Sequence, residues 1–249
     1  MSFRRVAGIA GILTAVLEFV FMVVLGGDDP DPDASGAEVI AWLSDNQGLT
    51  EFRMGLGAAS IFFAIIFIVG LGLLLRSHER REDGWSIVGF TGGLLSMAMF
   101  GAAIAAFAVL VIQVEDIDPA LASVLWDFEG GSLHLVTGTM AVMALGFGVA
   151  IIRSRALPAW IGWFALGVTA LSVVPAVTVV PTAELTGVSG ALAMISGAAF
   201  SLWVLVIALW MAAGPSTADD ERAADVDVTT ASRSTAVSEV AESEESAPV

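Results

Sequence analysis

Residues 86–112 read Ser-Ile-Val-Gly-Phe-Thr-Gly-Gly-Leu-Leu-Ser-Met-Ala-Met-Phe-Gly-Ala-Ala-Ile-Ala-Ala-Phe-Ala-Val-Leu-Val-Ile, without one Asp, Glu, Lys or Arg. A helix of about 20 such residues crosses the roughly 30 Å hydrocarbon core of a bilayer, where backbone polar groups must be satisfied within the helix itself. This stretch is long enough to cross with tilt. Working outward from it, five more stretches share its character, at about 7–26, 53–75, 132–152, 158–180 and 188–212. Their only charged residues are Glu18 and Arg53, and Arg53 stands at the very start of its stretch. The expected fold is an all-α bundle of six transmembrane helices occupying residues 1–213.

Composition excludes a soluble domain. Apolar residues make up 57% of the 249 positions and charged residues 14%, with a mean hydropathy of +0.86. A soluble domain carries about 25% charged residues. Cysteine is absent, which removes disulfides, thiolate metal sites and a cysteine nucleophile. The net charge of −16 is sorted along the chain rather than spread. The segment after Gly214 carries −7 and the loops on one side of the spans carry −12. The N-terminus and the loops on the other side carry +4, and Glu18 supplies the rest.

That sorting sets an orientation, because Arg accumulates on cytoplasmic loops. All ten basic residues are Arg. With both termini in the cytoplasm, Arg4, Arg5, Arg76, Arg80, Arg81, Arg153, Arg155, Arg222 and Arg233 lie inside and Arg53 alone lies outside. Trp85, Trp160 and Trp163 then fall at cytoplasmic helix ends, where indole rings favour the headgroup layer. The first apolar run exceeds the 7–15 residues of a usual signal-peptide core and precedes no small-x-small cleavage site, so it is expected to stay as a helix. The expected location is the plasma membrane, with the lipid bilayer as the immediate partner.

Two outer loops carry short amphipathic helices in this reading. Ser35 with Glu38 forms a capping box that opens a helix through about Asp45, with Val39, Ile40, Trp42 and Leu43 on its apolar face. This helix should lie on the outer interface or cap the bundle. Asp118 followed by Pro119 opens the second, with Leu121, Val124, Leu125 and Trp126. The third outer loop, 181–187, is a tight connection. Residues 214–249 are Ala, Ser, Thr, Val and acid, too poor in bulky apolar side chains to offset ordering entropy. They read as a disordered acidic cytoplasmic tail, open to protein partners.

Glu18 is the one acid within a span, and an ionisable group at that depth costs a few kcal/mol unless satisfied. It is either a proton- or cation-binding carboxylate facing a cavity or an acid satisfied by a neighbouring Ser or Thr. His134 lies one turn into the fourth span, about 10 Å from Glu18 in depth at about 1.5 Å per residue. A direct pair with Glu18 therefore needs a tilted helix. Arg53, facing an acidic surface, is expected to pair with Glu51 or Asp45 or to snorkel outward from its helix. Gly89, Gly92, Gly93, Gly146, Gly148, Gly190 and Gly197 suit close helix packing in lipid. No Walker A loop, Gly-x-Ser-x-Gly or His-Glu-x-x-His is present. An enzyme is not expected, nor a cofactor, a metal or a nucleic-acid partner.

The segment Arg153-Ser154-Arg155-Ala156-Leu157-Pro158-Ala159-Trp160-Ile161-Gly162-Trp163 sets a basic turn before Leu-Pro-x-Trp-x-Gly at the head of a span. With Ser35-Gly36-Ala37-Glu38-Val39 in the first outer loop, it resembles the bacterial membrane proteins grouped as the DUF4386 family and their actinobacterial relatives. The resemblance covers roughly residues 5–212. It implies a six-helix fold, and it brings no assigned activity and no functional residues. The leading functional reading is a structural, regulatory or interaction component of the membrane. The alternative is a small transporter or channel-like protein with Glu18 as the coupling carboxylate.

Overall fold

The computed structural model describes residues 2–21, 29–80, 82–177 and 186–214. Asp28, Arg81, the third outer loop at 181–185 and the tail from 215 onward lie outside the described residues, as do 22–26 of the first span. The described residues form seven helices and no strand: α1 Phe3–Phe19, α2 Gly36–Asp45, α3 Gln47–His78, α4 Trp85–Ile112, α5 Pro119–Ser154, α6 Ala159–Val177 and α7 Thr186–Ala213. Each long helix packs on its neighbour in the chain, and α1 packs on α7, so six helices close a ring. The helix α5 also touches α3 across that ring.

Among the described residues, four helices are long and apolar enough to cross a membrane: α3, α4, α5 and the Met194–Ala213 part of α7. The chain is thus built as a multi-pass membrane protein. The outer surface agrees, since Phe62 is 62% exposed and Ile112 69% exposed, with Leu73, Ile87 and Leu202 also outward. A soluble bundle would hide such side chains from water, whereas lipid welcomes them. At 17 residues α1 is shorter, about 26 Å of helix at about 1.5 Å per residue.

The second outer-loop helix is not a separate element. Residues 119–131 are the first turns of α5, which runs unbroken for 36 residues through Gly130 and Gly131. Each Gly in a helix interior costs about 1 kcal/mol against Ala, too little to stop a helix already nucleated on both sides. The start is as the sequence predicts: Asp118 accepts from the Ala120 amide at 2.8 Å and Pro119 takes the first position. The helix α2 also spans its predicted residues. The Ser35 amide donates to Glu38 at 2.8 Å and the Glu38 amide donates to Ser35 at 3.4 Å, closing the capping box. The Ser35 hydroxyl and amide hold the Glu38 carboxyl below its ordinary pKa.

Of the two expected settings for α2, the structure takes the cap. Val39 and Leu43 bury against Phe107, Leu110, Val111, Val114 and Ala122, where α4 ends and α5 begins. A larger core fills the opposite, Arg-rich end, around Phe67, Phe147, Ile151, Trp203, Ile207 and Met211. There Gly89 of α4 and Gly146 of α5 meet so closely that a methyl on Gly146 would overlap the Gly89 backbone. The indole of Trp203 donates to the Ile161 carbonyl at 3.2 Å, tying α7 to α6.

The connections at the Arg-rich end are held by the acids among them. Glu79 accepts from the amide and hydroxyl of Ser86, at 2.8 and 2.5 Å, satisfying one orphan backbone donor at the start of α4. Arg76 donates to the Asp83 carbonyl and Arg153 pairs with the Asp83 carboxylate at 3.2 Å. The turn after α5 closes on Arg155 in the left-handed region, at φ 56°. Leu157 drops into the core, and Trp160 and Trp163 face outward from α6.

Candidate functional site

Glu18 stands in the last turn of α1, immediately before the backbone widens into π geometry at Val20 and Phe21. The carboxylate accepts one hydrogen bond, from the Ser201 hydroxyl of α7 at 3.3 Å. It also borders a cavity of about 290 Å³ between α1, α3, α4, α5, α6 and α7. A hydroxyl thus meets Glu18, and Glu18 also faces a void. The void is mostly apolar, walled by Met97, Met140, Phe100 and Phe200, with Ser60, Thr137 and Ser172 among them. Two of those hydroxyls turn to their own helices, Thr137 to the Leu133 carbonyl and Ser172 to that of Val168.

His134 borders the same cavity. Sequence distance along the spans separates it in depth from Glu18, and no hydrogen bond joins the two among the described residues. Its Nδ1 meets the Gly130 carbonyl at 3.1 Å. A carbonyl only accepts, so Nδ1 is the donor in this contact.

A second cavity of about 610 Å³ lies at the acidic end, beneath α2. Asp29, Arg53, Asp127, Glu129 and His134 border it, with Trp42 and Trp126. It shares Phe21, Leu133 and His134 with the cavity at Glu18. These three side chains form the partition between a charged vestibule and an apolar chamber.

Arg53 sets that partition, and its partner differs from the expected one. The guanidinium grips Asp29 with two hydrogen bonds, at 2.5 and 2.9 Å, and its side chain is only 9% exposed. Glu51 and Asp45 are exposed, and no Arg53–Glu51 or Arg53–Asp45 ion pair occurs among the described residues. The reason is helical geometry: residues two apart point to opposite sides, so Glu51 faces out where Arg53 faces in. A bidentate fork also favours a carboxylate that can approach in its plane. The guanidinium lies 5.5 Å from the Phe21 ring, which meets Phe100 edge to face at 6.0 Å. Arg53 thus holds both Phe21 and Asp29.

The sequence marked Glu18, His134 and Arg53. It did not single out Asp29, Ser201, Glu129 or Phe21. Asp29 sits among acids of equal promise, and Ser201 among many hydroxyls in the spans. Glu129 could have been noticed as an acid close before a span. No three His, Asp or Glu side chains gather as metal ligands among the described residues. The arrangement sets one carboxylate on an apolar chamber that shares an imidazole with the charged vestibule. No protein-family model, curated protein or solved structure matches the chain.

Proposed function

We propose that the chain is a six-span plasma-membrane protein, both termini cytoplasmic, that passes protons or small cations by way of Glu18. It would be a small transporter or channel-like protein rather than an enzyme. Counting α1 and α6 as spans is supported by their place in the same closed ring as the four longer helices. The orientation rests on the sorted Arg residues, and the likeness to the DUF4386 group rests on the turn at 153–163. The acidic tail would hang in the cytoplasm, available to protein partners.

One observation carries the functional part. His134, Phe21 and Leu133 wall both the charged vestibule and the chamber at Glu18. A bundle packed only for structure gains nothing from a void beside its single intramembrane acid, since voids forfeit packing contacts. The plainer reading, a structural or interaction component, leaves that void unexplained.

The test uses purified protein in liposomes containing a pH-sensitive dye, with a membrane potential imposed by potassium and valinomycin. Wild-type protein should admit protons or exchange them for an added cation. Glu18→Gln should slow this by roughly a hundredfold, as expected for loss of an essential proton carrier. Equal rates in both proteins, or no flux above empty liposomes, would overturn the reading.

A further inference from the structure

The chamber at Glu18 has a second approach. A groove of about 520 Å³ runs along α1 and α7, bordered by Val16, Phe19, Leu202 and Leu205. It shares Met194 and Ser201 with the chamber. Val16, Phe19, Met194 and Leu202 are all exposed on the outside of the ring, where lipid would lie. Ser201, whose hydroxyl donates to Glu18, is thus reached from two sides: from the chamber and from the membrane-facing groove.

The wall of the chamber specifies what would fit. Met97, Met140 and Met194 line it with Phe21, Phe100 and Phe200, and Glu18 is its one acid. Thioethers adapt to varied shapes, and aromatic faces attract cations. Small-molecule sites are typically apolar hollows of about 300–1,000 Å³ with few polar groups. A carboxylate in such a hollow is costly without a counter-charge. A metal ion finds no set of three acid or imidazole ligands here. An ammonium group on a compact hydrocarbon satisfies both parts of the wall.

We propose that the chamber binds a lipophilic amine in its ammonium form, entering from the bilayer between α1 and α7. This rests on the reading of Glu18 as an accessible, exchanging carboxylate. The ammonium displaces the proton of the Glu18 carboxyl: the O–H bond breaks, the proton leaves to solvent, and the carboxylate pairs with the ammonium. On release the carboxyl regains a proton, so charge balances in both directions. Across the chamber from Glu18 the one other titratable side chain is His134 of α5; α3 presents Ser60, and α7 presents Ser196 and Ser201. The nearest cation, Arg53, lies beyond Phe21 in the vestibule and is paired with Asp29.

The probe pair is 1-adamantylamine and its neutral isostere 1-adamantanol, measured by equilibrium dialysis against the full chain in detergent. Wild-type protein should bind the amine saturably and release protons into weakly buffered solution. Glu18→Gln should lose roughly tenfold or more in amine affinity and release no protons, with alcohol binding unchanged. Met140→Trp, which fills the chamber and leaves Glu18 intact, should weaken the amine comparably and covers the case of a misfolded Glu18→Gln. The proposal is overturned if the alcohol binds wild type as tightly as the amine, or if a folded Glu18→Gln or Met140→Trp protein keeps wild-type amine affinity. Proton flux through Glu18 with no preference for the amine would sink this proposal and leave transport standing. Amine binding at Glu18 without any flux would do the reverse.

Discussion

The two ends of the helix ring are packed in opposite ways. At the Arg-rich end, backbones touch: Gly89 of α4 meets Gly146 of α5, Gly148 of α5 meets Gly162 of α6, and Gly8 of α1 lies on Ala208 and Ala212 of α7. At the acidic end the close approach is made by the cap, where Gly36 of α2 lies on the Pro119 carbonyl, while Gly130 and Gly131 of α5 border the vestibule with open space where a side chain would go. Two cavities lined by large side chains, Trp42 and Trp126 in one and Met97, Met140 and Phe200 in the other, lie on this side. The same residue type therefore serves two purposes. In lipid, where no hydrophobic effect drives helix association, small residues bring backbones into dispersion contact. Where that contact is absent, at Gly130 and Gly131, the open space belongs to the vestibule. The single intramembrane acid lies on the open side of this division.

That contrast can be broken first at its tight end. Trp203→Ala removes a fully buried ring and its bond to Ile161, and should destabilise the protein by about 3–5 kcal/mol in denaturant unfolding in micelles. A loss below about 1 kcal/mol would mean the Arg-rich core tolerates voids as the acidic end does.

A matched pair of glycine substitutions sharpens it next. Gly146→Val forces a branched side chain into the Gly89 backbone and should cost about 2–3 kcal/mol. Gly130→Ala meets nothing and relieves helix entropy, so it should raise stability by about 0.5–1 kcal/mol. Melting temperatures moving in the same direction for both would show that the ends are not packed differently.

The smallest effect lies in α2, the cap over the vestibule. Bonding to Ser35 depresses the Glu38 pKa in the folded protein. The resulting stabilisation is complete above the ordinary Glu value and is lost as pH falls through the lower folded one. Protection factors across 36–45, with the intrinsic pH dependence of amide exchange divided out, should stay high at neutral pH and fall only in that acidic window. Ser35→Ala should lower those protection factors at neutral pH and leave them nearly independent of pH. Exchange elsewhere in the ring should not follow it.

Much of the fold was legible because it is local. The ends of α4 and the extent of α2 follow from hydropathy and from a cap three residues long. What misled was also local: Asp118-Pro119 signals a start, but nothing at Gly130-Gly131 signals continuation, so α5 read as two elements. Arg53 was recognised as needing a partner. Choosing Asp29 over Glu51 required knowing which way Arg53 faces in the ring.

By itself, then, the sequence determined that the chain is helical and membrane-built, where its caps lie, how its charge is sorted, and that Glu18 is exceptional. These follow from interactions within a few residues and from the cost of charge in hydrocarbon. Only tertiary structure decided what Glu18 meets. Ser201 is 183 positions away and the Asp29 gripped by Arg53 is 24 positions away. A cavity has no residues of its own; it is the space left where six helices fail to touch, and that depends on how every one of them packs.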